Sequence, residues 1–130
     1  MSDVLIDSSA WIDFLRGDAK AVEKVDLLLA DGRAAMTGPI YAEVVSGAQS
    51  RAVFDRLALL FKSLDLLVAP EGAWEQVAEA RFALARQGIQ VHLVDLFIAV
   101  TALHNRHSLL TRDRDFEVIA RVIPVELDCF

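Results

Sequence analysis

Short apolar runs alternate with helical stripes along most of the chain. The run DVLID (3–7) ends in an acid and predicts a buried strand. SSAWIDFLRG (8–17) opens with serines suited to a helix cap and stops at a glycine, so it predicts a short helix. In AKAVEKVDLLLADG (19–32), Val22, Val25, Leu28 and Leu29 recur at helical spacing before Gly32 closes the segment. AAMT (34–37) predicts a short strand, and Pro39 suits the first turn of a helix running to about Ser46. RAVFDRLALLFKSL (51–64) predicts an amphipathic helix and DLLVA (65–69) a strand. GAWEQVAEARFALARQG (72–88) predicts a second amphipathic helix, with Trp74, Val77, Ala78 and Arg81 on one face. VDLFIAVTALHN (94–105) is apolar nearly all round and predicts a buried helix. SLLT (108–111) predicts a strand, RDFEVIA (114–120) a short helix, and VIPVEL (122–127) a last edge segment, where Pro124 is tolerated.

Short, continuously apolar strands alternating with helices predict a parallel sheet covered on both faces. In such sheets ligands sit beyond the carboxyl ends of the strands, near the switch in strand order. Residues at strand ends are therefore the candidates for chemistry.

With 130 residues, 55% of them hydrophobic, and a mean hydropathy of +0.39, the chain is expected to be one domain, 1–130, with a large core and apolar residues to spare for an interface. No apolar run reaches a membrane span, and MSDVLIDSS carries no basic n-region, so a cytoplasmic location without membrane attachment is expected. The single cysteine, Cys129, excludes an internal disulfide and a cysteine-based zinc site. A net charge of −6 argues by itself against a nucleic-acid partner. Two features temper that. The cations are ten Arg against three Lys, and Arg favours bidentate contact with phosphate. An acidic protein can also hold phosphates when metal ions sit between the two.

The acids carry the chemistry. Asp7 ends the first strand, where Ser8 and Ser9 already supply capping hydroxyls. Glu43 has Pro39, Ile40, Ser46 and Gly47 as same-face helical neighbours, none of them basic. Asp95 is the one acid between Glu79 and Asp113, on a helix otherwise apolar. The helix dipole favours it by about 0.3–1 kcal/mol, but burying an unpaired carboxylate costs several kcal/mol unless a cation compensates it. Asp113 follows the LLT strand end, with Asp115 two residues on; chemistry is assigned to Asp113 and the helix cap to Asp115. Four carboxylates gathered on one sheet edge repel one another unless a hard divalent cation joins them. Oxygen-only ligands favour Mg²⁺ or Mn²⁺, the arrangement of metal-assisted phosphodiester hydrolysis.

VLIDSSAWIDFL, AEVVSGA, LVDLFIAVTAL and LLTRDRDF together resemble the PIN-domain ribonucleases, and most nearly the VapC toxins of type II toxin–antitoxin systems, over nearly the whole chain. The resemblance implies a three-layer α/β/α sandwich with a parallel sheet of four to five strands. It implies Mg²⁺- or Mn²⁺-dependent cleavage of RNA by Asp7, Glu43, Asp95 and Asp113, with Ser8 and Thr111 as supporting hydroxyls. It also implies a homodimer, and a VapB antitoxin whose basic side chain blocks the acidic pocket. Arg112 and Arg114 are candidates to meet RNA phosphates, with Arg16, Lys20 and Arg106 as weaker ones; Trp11 and Phe14 are expected in the core or a dimer contact. Two other classes compete: a receiver-type phospho-acceptor domain, and a non-catalytic interaction module. A receiver needs a Lys near its last strands, whereas no Lys follows Lys62.

Overall fold

A computed structural model describes residues 3–130. The strands are β1 (Val4–Ile6), β2 (Ala34–Met36), β3 (Asp65–Leu66), β4 (Ser108–Thr111) and β5 (Leu127–Cys129). Between them run α1 (Ser8–Leu15), α2 (Ala19–Ala30), α3 (Gly38–Ser46), α4 (Arg51–Lys62), α5 (Ala73–Arg86), α6 (Leu93–His104) and α7 (Asp115–Ile119). The sheet order is β3-β2-β1-β4-β5 and every pairing is parallel. Among the described residues, seven helices flank this five-stranded sheet in the expected three-layer arrangement. Helices α1 to α4 pack among themselves, while α5 packs on α6 and α6 on α7.

The central strands are apolar on both faces because both faces are covered. Leu5, Ile6 and Leu109 are fully buried, and Leu110 nearly so. Trp11 is also fully buried, edge-on to Phe14 and tilted against Phe61. From β1 the chain builds outward to β2 and β3 on one side, then returns to build β4 and β5 on the other. The switch in direction lies between β1 and β4, so a crevice is expected beyond the carboxyl ends of those two strands. Their register pairs Ile6 with Leu110, which brings Asp7 and Thr111 out at the same level. The Asp7 amide donates to the Leu110 carbonyl at 2.9 Å, carrying the ladder one residue further.

Several predicted elements shift. The strand expected at 65–69 is only Asp65–Leu66 and is exposed, because β3 is an edge strand paired on one side. The last strand forms at Leu127–Cys129 rather than 122–127; Pro124 sits in the loop before it, where its missing N–H breaks no ladder. On α5 the buried stripe is Ala73, Val77, Ala80 and Leu84. Trp74 is 57% exposed and stacks on Phe97, 4.7 Å between centroids, and Ala78 and Arg81 face outward. The α6 helix is buried from Ile98 to Ala102, but Leu93 and Val94 at its start are exposed. Gly88 closes α5 at φ +78°, a conformation a side chain would strain.

Candidate active site

Asp7 occupies the N-cap position of α1, yet its side chain makes no capping hydrogen bond. It is 5% exposed. Its Oδ2 accepts from the Ser9 hydroxyl at 2.8 Å and from the Thr111 hydroxyl at 3.0 Å. Burial pushes its carboxyl above the usual carboxylate range, and these hydroxyls and the nearby amides of Ser8 and Ser9 pull it part of the way back. Thr111 is fully buried at the end of β4, so its hydroxyl spans from that strand to β1.

Asp95 stands in the first turn of α6, half-buried. Burial is the main reason its carboxyl is pushed up to about 6; the charges of Asp7 and Asp113 add to it, His92 opposes, and Asp115 contributes least. Three distant segments thus bring the charges of Asp7 and Asp113 within electrostatic reach of Asp95, beyond the carboxyl ends of β1 and β4. The helices α1 and α6 both begin there, and their amide dipoles favour negative charge.

Asp113 and Asp115 divide their roles differently from expectation. The capping acid is Asp113, whose Oδ1 accepts from the Asp115 amide at 2.9 Å, while Asp115 lies inside the first turn of α7. The Asp113 amide donates to the Thr111 hydroxyl at 2.9 Å. Asp113 therefore caps α7 and also acts on Asp95. The supporting hydroxyl after the first acid is Ser9, not Ser8. Ser8 is buried at the start of α1, whereas Ser9 turns to Asp7, lies 3.2 Å from the Thr111 hydroxyl and accepts from the Arg112 amide at 3.0 Å. The sequence DSS contains both serines, and only the helical turn after Asp7 selects between them. The Thr37 hydroxyl, at the end of neighbouring β2, is buried without a partner.

Glu43 is exposed on α3 and is not among the leading charges on Asp95. It lines a groove with Ile12, Leu15, Arg16 and Val44. Arg112 does not face outward: it is paired with Asp13 and Asp18. Arg114 is 83% exposed at its side chain and pairs with Glu117 at 2.8 Å.

The donor set suits a hard divalent ion, being all carboxylate oxygen with a buried anchor in Asp7. As the side chains stand, no three acid, His or Cys groups among the described residues are spaced to chelate an ion. The repulsion felt at Asp95 is a penalty that a cation would relieve. Ser9→Ala should remove three polar contacts at once and leave Asp7 with one hydroxyl partner. The expected cost is about 1–3 kcal/mol of stability, read as a lower midpoint in urea unfolding at unchanged slope.

The PIN domain family matches residues 4–122. Ribonuclease VapC11 of Mycobacterium tuberculosis is 33% identical over 132 residues, covering 98% of both chains. A chain in the crystal structure of VapBC2 from Rickettsia felis, bound to a DNA fragment from their promoter, matches with a TM-score of 0.76 at 18% identity over 98% of each chain. A chain of VapBC-1 from nontypeable Haemophilus influenzae matches with a TM-score of 0.75 at 22% identity, over 97% of this chain and 96% of that one. The two structural likenesses are likenesses of fold.

Proposed function

The chain belongs to the PIN-domain family, and from that premise we propose that it is a VapC-type toxin, an endoribonuclease that hydrolyses RNA phosphodiester bonds with Mg²⁺ or Mn²⁺. The observation that supports this reading is the coupling of three acids distant in sequence: Asp95 is pushed up to about 6 chiefly by burial and then by the charges of Asp7 and Asp113. The match spans 4–122, and the reading takes the whole chain as one catalytic unit.

In this mechanism Asp7, Asp95 and Asp113 would hold the ion. A bound Mg²⁺ or Mn²⁺ supplies phosphate neutralisation and a more acidic attacking water. Ser9 and Thr111 fix the orientation of the Asp7 carboxylate through their hydrogen bonds to its Oδ2. Glu43 is assigned to the rim, where a carboxylate can orient or deprotonate the attacking water; that role rests on the family resemblance. Arg114, exposed beside Asp113, remains the candidate for an RNA phosphate. The receiver-type alternative loses its basis once family membership is established.

The partner in this reading is a VapB-type antitoxin whose basic side chain enters the acidic crevice. A second copy of the chain is the other expected partner, and Leu66, Val68 and Trp74 are exposed apolar residues available to such contacts. No helix among the described residues is long and apolar enough to cross a membrane. A cytoplasmic location belongs to the same reading.

The test is incubation of purified protein with total cellular RNA in Mg²⁺, in Mn²⁺ and in chelator. Fragments are expected with either ion and none in chelator. Cleavage that persists in chelator, after removal of contaminating nuclease, overturns the mechanism.

A further inference from the structure

We propose that Arg112 is a positioning residue: its guanidinium clasp fixes the turn from Thr111 to Asp113 and thereby sets where Asp113 stands relative to Asp7 and Asp95. The proposal rests on the metal-dependent reading above.

Four directions of the guanidinium are taken inside the molecule. Nε stands 3.2 Å from Asp13 Oδ2 on α1, as an ion pair whose geometry closes no hydrogen bond. Nη2 donates to Asp18 Oδ2. Nη1 donates to the Phe130 carbonyl at 3.2 Å, and the guanidinium carbon lies 4.1 Å from the centroid of the Phe130 ring. Asp18 is itself the cap of α2, accepting from the Ala21 amide at 3.1 Å, so one oxygen joins the start of α2 to the end of β4. The Phe130 amide donates to the Thr111 carbonyl at 3.1 Å and closes the clasp from the β5 side.

The backbone of the same residue reaches inward. The Arg112 amide donates to Ser9 Oγ, the hydroxyl that donates to Asp7. On either side of it, Thr111 donates to Asp7, and Asp113 acts on Asp95 and caps α7. A shift of this turn would take the Thr111 hydroxyl off Asp7, withdraw the amide that holds Ser9 Oγ, and move Asp113 relative to Asp95. A phosphate-binding role fits less well. Two carboxylates already outweigh the single positive charge, and a phosphate would have to displace both. A lysine cannot replace the clasp, because only a planar guanidinium serves several acceptors and an aromatic face at once.

The test compares wild type with Arg112→Ala, Arg112→Lys and Asp18→Asn. Two quantities are read against Mn²⁺ concentration: RNA cleavage, and the melting temperature without RNA. Arg112→Ala is expected to raise the Mn²⁺ concentration for half-maximal cleavage roughly tenfold, the scale for loss of a group that orients a metal ligand. It should shrink the Mn²⁺-induced rise in melting temperature, with KM for RNA within about twofold of wild type. Arg112→Lys should behave like Arg112→Ala, and Asp18→Asn should shift the metal dependence in the same direction. If Arg112→Ala does not fold, Asp18→Asn decides the matter.

A raised KM for RNA at unchanged metal dependence, rescue by lysine, or tighter RNA binding in Asp18→Asn would make Arg112 a phosphate contact and overturn the proposal. A wild type with neither metal-dependent cleavage nor a metal-dependent melting shift overturns the ribonuclease reading instead.

Discussion

Asp95→Asn is expected to lower RNA hydrolysis by at least about 10²–10³-fold, the range seen when one pre-placed electrostatic group is lost from a site. At the same time it should raise the melting temperature of the metal-free protein by a few degrees. The two effects have one cause. Asparagine keeps the shape of the side chain, so the packing of α6 is undisturbed. What disappears is a half-buried charge that burial and the charges of Asp7 and Asp113 already disfavour. Without the cation that charge destabilises the fold; with it, the charge is what binds. Adding millimolar Mn²⁺ should therefore reverse the order of stability, with wild type gaining and the variant gaining little. A variant that still cuts RNA at the wild-type rate, or that melts below wild type in chelator, would show that Asp95 is a structural acid.

Much of this site was legible because its residues break local patterns. Asp95 interrupts an apolar helix, and the helix dipole accounts for an acid in the first turn but not for its burial. Asp7 and Thr111 were legible through the strand ends, since a parallel sheet has one functional edge and both residues follow buried runs. What was not legible depended on contacts across the fold. Choosing Ser9 over Ser8 requires knowing that Thr111 and the Arg112 amide arrive 102 and 103 residues later. That Asp113 rather than Asp115 holds the first amide of α7 turns on where that helix begins, which local pattern fixes only to within a residue or two. Arg112 looked available for phosphate because its acceptors, Asp13, Asp18 and Phe130, lie on three other elements. The β3 segment read as a longer strand because composition does not reveal an edge: DLLVA is apolar enough for a core, yet Leu66 and Val68 lie on the surface. Such apolar residues left uncovered belong, in the proposed function, to partner contacts rather than to the fold.

The second large effect expected is a reversal in how pH acts on the protein with and without metal. The Asp95 carboxyl lies at about 6 in the fold against an ordinary 3.8, mainly through burial and then through Asp7 and Asp113; burial moves Asp7 upward too. A carboxyl raised in this way binds more protons in the folded state than in the unfolded state between those two values. Its contribution to stability is therefore greatest at and below about pH 4, and is lost as pH rises through about 6. In chelator, the difference in melting temperature between Asp95→Asn and wild type should open from nearly nothing at about pH 3 to its full size near pH 7. Comparing the two proteins cancels the titrating groups that do not touch Asp95, leaving Asp95 and the acids coupled to it. With Mn²⁺ the slope changes sign, because the ion competes with the proton for the same oxygens. The metal-induced rise in melting temperature should grow over the same interval and level off above about pH 6. Apparent Mn²⁺ affinity should fall by about tenfold for each pH unit below that value for each raised carboxyl that must give up its proton to the ion. Parallel melting curves for the two proteins across this range, in chelator and in Mn²⁺ alike, would mean that Asp95 neither feels its neighbours nor holds an ion. In that case the acids at the β1/β4 crevice would be neighbours on a sheet edge and not a site.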